Sequence, residues 1–441
     1  MKRWIAAIAG LFCVLGPGVL YSFSLISTPL TAAFGWKSGD VVWAFALANF
    51  FLAVGGLVGG IFVDRIGSRP IAVIGIILWS AAFGACATLE QTHSLVMFYV
   101  LYGVIGGFGC GMAYIASLTA VIKWFPNARG FGGGLVIMGF GLGSFVYNSI
   151  VKPSATFAAI SADTQTYTAA QASALADHIP FDVAKYAMDP ANVKLFMSLF
   201  VYSGLAMAIL GVAAALFITA PSAEFLEETE GERATQPQIP LRAMLGDARF
   251  YVLWSMLFLN VFGGITVLSN MVPIMHEATG LATPDAAGIY AFLAVFNGLG
   301  RLVWGWLSDR ISRRVTFAII LGGQALAFFI LDANKETLFV SIAIAILLLC
   351  YGGGFGVMPA FNADFFGTKH FGANYGMQLS AWGLAALAGV AFTGVMKNLS
   401  GSFVGLMQPV SIMLLVAMLL PMIIESPKRA AQAAEPAPVA A

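Results

Sequence analysis

The stretch "GWLSDRISRR", residues 305–314, repeats "GIFVDRIGSR", residues 60–69, with Gly, Asp-Arg-Ile and a final Arg in register. Each copy follows an apolar run, so each reads as the loop after the second helix of one half of a duplicated chain. A single copy would read as ordinary cationic anchoring; two copies in equivalent places argue for a shared task. An acid among bases at a helix junction can pair with an arginine or cap the N-terminus of the following helix. Asp64, Arg65 and Arg69, with Asp309, Arg310 and Arg314, are therefore candidate conformational latches.

Composition sets the surroundings. Of 441 residues, 59% are hydrophobic and 10% charged, where a soluble protein carries about 25% charged residues. The chain belongs in a bilayer, and a net charge of +1 excludes the basic footprint of a nucleic-acid binder. Runs of about 20 mainly apolar residues, each enough for a spanning helix, fall at 4–30, 41–63, 70–89, 95–123, 130–152, 193–219, 249–275, 285–307, 315–332, 337–361, 372–396 and 403–424. The charged start "MKRW" precedes an apolar run too long for a signal peptide, so it reads as an uncleaved first helix.

Lysine and arginine distribution tests that count, since cytoplasmic loops carry an excess of both. With both termini inside, 15 of the 22 fall on the cytoplasmic side and 6 on the other, and Arg301 is left over. The expected fold is therefore an all-α membrane protein of 12 transmembrane helices in two pseudo-symmetric six-helix bundles. Residues 1–219 form the first bundle, with an external loop at 153–192 that keeps some helix. Residues 220–247, polar and proline-containing, form a cytoplasmic linker. Residues 248–424 form the second bundle, and 425–441 a disordered cytoplasmic tail.

Arg301 sits about 16 residues into the eighth run, deep in the bilayer. Insertion scales put a central arginine at about 2.5 to 3.5 kcal/mol, and such residues face a cavity or a partner. Asp40, Glu90, Glu277, Asp285, Asp332 and Glu336 lie near the outer surface, and Asp64, Asp309 and Asp364 near the inner one, so no helix centre carries an acid. The missing partner reads as an anionic substrate, because a guanidinium fork matches a carboxylate bidentately. Snorkelling to helix-end carbonyls is the bland alternative. Asn297 shares the face of Arg301 at i−4, either as a packing amide or as a second polar contact. Tyr21, Tyr114 and Tyr351 fall at mid-helix, where phenols can donate to a carboxylate while their rings exclude water.

The glycine runs "GGLVGG" at 55–60, "GVIGGFGCG" at 103–111 and "GFGLG" at 139–143 let helices approach closely and slide. They lie inside spans and lack the Lys-Ser/Thr of a phosphate loop. The cysteines at 13, 86, 110 and 350 show no metal or disulfide spacing. His93, His178, His276 and His370 have no ligand partner, so no metal and no cofactor are expected. His276 beside Glu277 is an adjacent titratable pair, read chiefly as a solvated helix end.

The duplicated loop in a twelve-span chain resembles the signature of the major facilitator superfamily. "GVLYSFSL" at 18–25, "YIASLTAVIKWFPNARG" at 114–130, "NGLGRLVWGWLSDRI" at 297–311 and "PAFNADFFGTKHFGANYG" at 359–376 together resemble the oxalate/formate antiporter family and the related monocarboxylate porters. The resemblance implies that Arg301 binds the carboxylate and that Tyr21 and Tyr114 line the site. Animal monocarboxylate porters carry Asp where this chain has Asn297, so a proton-carrying carboxyl is missing there. Oxalate-type members carry a second cation, a lysine, where this chain has Trp382, and cage aromatics where it has Phe140 and Phe355. One cation suits a monocarboxylate better than a dianion.

The resulting expectation is a secondary active transporter of small monocarboxylates of the lactate, pyruvate, acetate or formate type. It would work by alternating access with proton coupling, Arg301 clamping the carboxylate and the two loops gating. An oxalate/formate-type organic anion exchanger is the alternative. The expected partners are a small carboxylate anion, protons and the lipid bilayer, with no nucleic acid, for a monomer in the cell membrane with both termini cytoplasmic. An embedded enzyme would need convergent nucleophiles or metal ligands at helix centres, which the scan does not find. A sensor on this scaffold would append a signalling domain.

Overall fold

The computed structural model describes residues 1–176, 179–222, 224, 225, 238–268, 270–402, 405 and 407–424. His178, linker residues 223 and 226–237, and the tail at 425–441 lie outside the described residues. Among the described residues, helices alternate with turns and no strand occurs. Eleven helical stretches are long and apolar enough to cross a membrane: spans 1 to 11, at Lys2–Phe34, Ser38–Ile66, Ser68–Thr92, Leu95–Trp124, Arg129–Val151, Pro190–Leu216, Ala248–Leu268, Gly288–Ser308, Arg313–Ala333, Thr337–Phe366 and Phe371–Ser400. The twelfth, Met407–Ile423, is shorter than its apolar run suggests. It is built from Met407–Ala417 and Leu420–Ile423; Pro421, in the first turn of the second piece, has no amide to continue a single helix through that point.

Several spans are interrupted where they line the middle of the molecule. Span 1 tightens into a 3-10 turn over Pro17–Ser22, where Pro17 follows Gly16 and removes one backbone donor. Span 4 contains a π-helical stretch over Tyr99–Gly106. Span 8 breaks at Ala294, between helices Thr283–Leu293 and Val295–Ser308, and span 11 breaks at Leu379. In bilayers such breaks occur where the backbone is shielded by protein. The outward faces of the spans are apolar, with Ile209, Leu210, Phe329 and Val416 largely exposed, the inverse of a water-soluble surface.

Glycine sets how closely the spans approach. A Cβ on Gly111 would lie 1.9 Å from the carbonyl oxygen of Leu52 and 2.6 Å from the amide nitrogen of Gly56, joining spans 2 and 4. Spans 5 and 8 meet the same way: a Cβ on Gly134 would lie 2.4 Å from the carbonyl oxygen of Arg301. In spans 2 and 11, a Cβ on Gly60 would lie 2.0 Å from that of Gly372. Gly111→Ala meets backbone that cannot yield, so it is expected to destabilise the protein by at least the roughly 1–3 kcal/mol of ordinary overpacking. Gly39→Ala, which meets nothing within 4 Å, is the control. Thermal melting in detergent checks the pair, and equal melting temperatures would refute the packing argument.

The end carrying the two Asp-Arg loops is termed the inner end, following the lysine and arginine bias. At the opposite end, residues 153–192 fold largely as helix Ala155–Ala176 with a short helix Val183–Tyr186. Asp163 on the longer helix accepts from the amide of Asp189 and the side chain of Asn192, both at 2.9 Å. The amide of Met188 donates to the carbonyl of Ala32 at 3.0 Å, docking the segment on span 1.

Candidate functional site

Arg301 lies on span 8 with its side chain fully buried. Glycines bring two neighbours onto its backbone: a Cβ on Gly356 of span 10 would sit 2.1 Å from the Arg301 carbonyl oxygen, and one on Gly134 of span 5 would sit 2.4 Å from it. The guanidinium is thus held where three helices converge. Its Nε donates to Asn297 Oδ1 at 3.4 Å, Nη1 to the Ile137 carbonyl at 3.2 Å and Nη2 to the Tyr21 hydroxyl at 3.3 Å. These are long for charge-assisted bonds, which run at about 2.7–2.9 Å. Every acceptor is neutral, and among the described residues no carboxylate pairs with Arg301. A guanidinium carries five N–H donors, so one on each Nη is left uncommitted by these bonds.

Aromatic rings enclose the charge. The guanidinium carbon lies 4.9 Å from the ring centre of Phe355, 5.3 Å from Phe140 and 5.8 Å from Tyr21, within cation–π range. Since the Tyr21 hydroxyl accepts from Arg301, its own proton is free for Tyr351, whose hydroxyl lies 3.0 Å away. Phe140 packs edge-on against Tyr114 and Trp382 at 5.7 and 5.6 Å, and Phe355 meets Trp382 at 4.4 Å. All eight residues singled out around Arg301 in the sequence, itself included, are therefore brought into one cage. Asn297 turns its side-chain oxygen to Arg301, which is more than a packing amide does.

One cage donor lacks a partner among the described residues: the Trp382 indole N–H is buried and unsatisfied, whereas the Tyr114 hydroxyl faces that of Tyr375. Leaving such a group unpaired costs about 1–3 kcal/mol, a cost removed when a ligand oxygen meets it. Tyr375 and Gln378, which the sequence reading missed, add more. Both are fully buried on span 11 within two turns of Trp382, and both Gln378 side-chain polar atoms are unsatisfied. Their i−7 and i−4 spacing from Trp382 was the available signal.

The inner end is closed by two related contacts. Asp64 accepts from the amides of Gly372 and Ala373 at 3.2 and 2.9 Å, at the start of span 11. Asp309 accepts from the amides of Gly130 and Phe131 at 2.9 and 2.7 Å, at the start of span 5. Each acid thus caps a helix in the opposite half, which corrects the expectation of a cap on the following helix. The loop arginines also depart from expectation. Arg69 donates to the Ile218 carbonyl and Arg314 to those of Pro421 and Met422, all within their own halves. Arg310 stacks over Trp306 at 3.7 Å, and Arg65 has no hydrogen bond or ion pair to a described residue. An acid at the C-terminal end of its helix reaches across the interface, while Arg69, Arg310 and Arg314 stay within their own half.

The ion pairs at this end come from residues the latch reading left out. Arg313 bridges Asp309 at 2.6 Å and Asp364 at 3.0 Å, and Arg129 reaches Asp364 at 3.0 Å from the other half. Arg129 and Asp364 stand in the quoted motifs at 114–130 and 359–376, which was their signal in the sequence. His276 and Glu277 lie apart from the cage: His276 Nδ1 contacts the Leu281 carbonyl and Glu277 the Ser402 hydroxyl.

Comparison with known proteins follows the same lines. The Major Facilitator Superfamily profile matches residues 7–331 and 264–441. An oxalate:formate antiporter of Oxalobacter formigenes is 27% identical over 400 residues, covering 88% of this chain and 83% of the relative. Apicoplast pyruvate carrier 1 of Toxoplasma gondii is 26% identical over 387 residues, covering 81% and 69%. Among solved structures, the E. coli fucose:proton symporter FucP superposes with a TM-score of 0.65 at 14% identity, covering 95% of this chain and 98% of that one. At that identity the likeness concerns the fold alone.

Proposed function

This chain belongs to the Major Facilitator Superfamily and is a membrane transporter, not an enzyme; from that premise we propose that it carries small monocarboxylates by alternating access, with Arg301 as the clamp. The observation that carries the reading is a fully buried guanidinium with only neutral acceptors and an uncommitted N–H on each Nη. A carboxylate fills that fork bidentately. The orphaned Trp382 donor and the Tyr114 hydroxyl give it further hydrogen bonds, and Phe140, Phe355 and Trp382 suit a methyl or short aliphatic end. The names of the relatives, an oxalate:formate antiporter and a pyruvate carrier, point to the same class of anion.

Oxalate/formate exchange is the second reading, supported by the name of the first of those relatives. A single cation offers a dianion only half its counter-charge, which weighs against oxalate. Coupling divides differently. The cage holds no carboxyl group among the described residues, so proton symport has no carrier beside the anion. A lone Arg301 favours crossing the occluded state only when the anion neutralises it, which makes anion exchange the favoured mode.

Labelled formate, lactate, pyruvate and oxalate, offered to proteoliposomes with and without internal anion, test both points. Monocarboxylates should enter faster than oxalate, and internal anion should accelerate entry more than an inward proton gradient does. Equal or faster oxalate entry would favour the second reading, and accumulation driven by the proton gradient in vesicles without internal anion would favour symport.

A further inference from the structure

On the outer side of Tyr21 lies a small cleft of about 30 Å³, lined by Tyr21 itself, Ser24, Ser144, Asn148, Lys152 and Tyr290, among others. One phenol therefore serves two spaces: Tyr21 accepts from Arg301 below and lines the cleft above. Lys152 is the residue that ends span 5. It is partly buried, and among the described residues its ammonium has no ion pair. One turn earlier, Asn148 Oδ1 is buried without a partner, so this amide has no bond fixing its orientation and can turn its NH₂ into the cleft. Burial lowers the Lys152 pKa, and no carboxylate acts against it.

A compact cation with hydroxyls and an amide around one space is a site for a small anion. We propose that this cleft is an outer staging site for a small carboxylate, which pairs with Lys152 before it passes Tyr21 to reach Arg301. The inference rests on the carboxylate reading above and adds a second, separate cation to it. As it stands, the cleft of about 30 Å³ has room for a water or two, each needing roughly 10–15 Å³ by the same measure, so the outer halves of the spans must part to admit the anion. The helix break at Ala294, which lines the cleft, and the 3-10 turn at Pro17–Ser22 are the places where they can bend. Passage inward then exchanges the Tyr21–Tyr351 hydrogen bond for bonds to the anion.

The test is exchange of labelled formate in proteoliposomes of known orientation, with lactate and pyruvate beside it, for the wild type, Lys152→Gln and Lys152→Arg. Lys152→Gln should raise the external half-saturation concentration about tenfold and leave the rate at saturating anion within about twofold, and Lys152→Arg should restore affinity. The staging site is overturned if the glutamine variant keeps its half-saturation concentration within about twofold, if only its saturating rate falls, or if arginine fails to rescue it. A wild type that carries none of these anions would bring down the carboxylate reading and this one together. A transporting wild type beside an unaffected Lys152→Gln brings down this one alone.

Discussion

Arg301→Ala is expected to abolish carboxylate uptake while leaving the fold intact. Removing one partner of a buried, hydrogen-bonded charge pair costs about 2–5 kcal/mol, and each 1.4 kcal/mol is about tenfold in affinity. The anion's affinity should therefore fall by between roughly 30-fold and several thousandfold, below what an uptake assay detects. The stability change should have the opposite sign to the usual one. Asn297, Ile137 and Tyr21 hold Arg301 only through neutral acceptors, so its loss strands no counter-charge and removes a desolvated cation. The anion-free melting temperature should hold or rise. Arg301→Lys keeps the charge and loses the fork, so its uptake should stay far below the wild type. Unimpaired uptake by Arg301→Ala would remove the residue from the site.

Asp309→Asn is expected to open the inner end. The carboxylate caps span 5 through two amides and pairs with Arg313, and charge-assisted hydrogen bonds contribute about 1.5–3 kcal/mol. The ratio of inner-closed to inner-open forms should drop about 10- to 150-fold. Asp64→Asn should act in the same direction but more weakly, because Asp64 caps span 11 without a comparable ion pair among those described. The two caps are far apart, so the double variant should show nearly the sum of the two free-energy changes. Spin-label distances between the inner ends of spans 5 and 8, and of spans 2 and 11, measure the shift. Unchanged distance distributions in the double variant would show that the caps do not hold the gate.

How much of this was legible in the sequence depended on the range of the interaction. Apolar runs and the 245-residue offset between Asp64 and Asp309 are local or periodic, and they led to the spans and the duplicated loop. The break at Pro17–Ser22 has a visible signal in Gly16-Pro17-Gly18; those at Ala294 and Leu379 have none. The latch acids were recognisable, but their partners were not. The nearest bases in the chain, Arg65 and Arg310, looked like the natural counter-charges. Asp309 does pair with a loop base, Arg313 four residues on, but the groups it meets in the other half are backbone amides 178 and 179 residues away, and a backbone amide carries no sequence signal of its own.

By itself, the sequence determined that the chain lives in a bilayer, that its scaffold is duplicated, and that Arg301 is a charge without an acid at its depth. Those follow from hydropathy and from counting, because the cost of a polar group in hydrocarbon is independent of how the helices are arranged. Only the tertiary structure decided that Tyr21, Phe140, Phe355 and Trp382 meet around that charge, that Gln378 adds orphaned polar groups nearby, and that Asp64 and Asp309 each cap a helix of the other half. Such facts depend on which helix faces which, and glycine contacts between spans 5 and 8 and between 2 and 11 set that at close range.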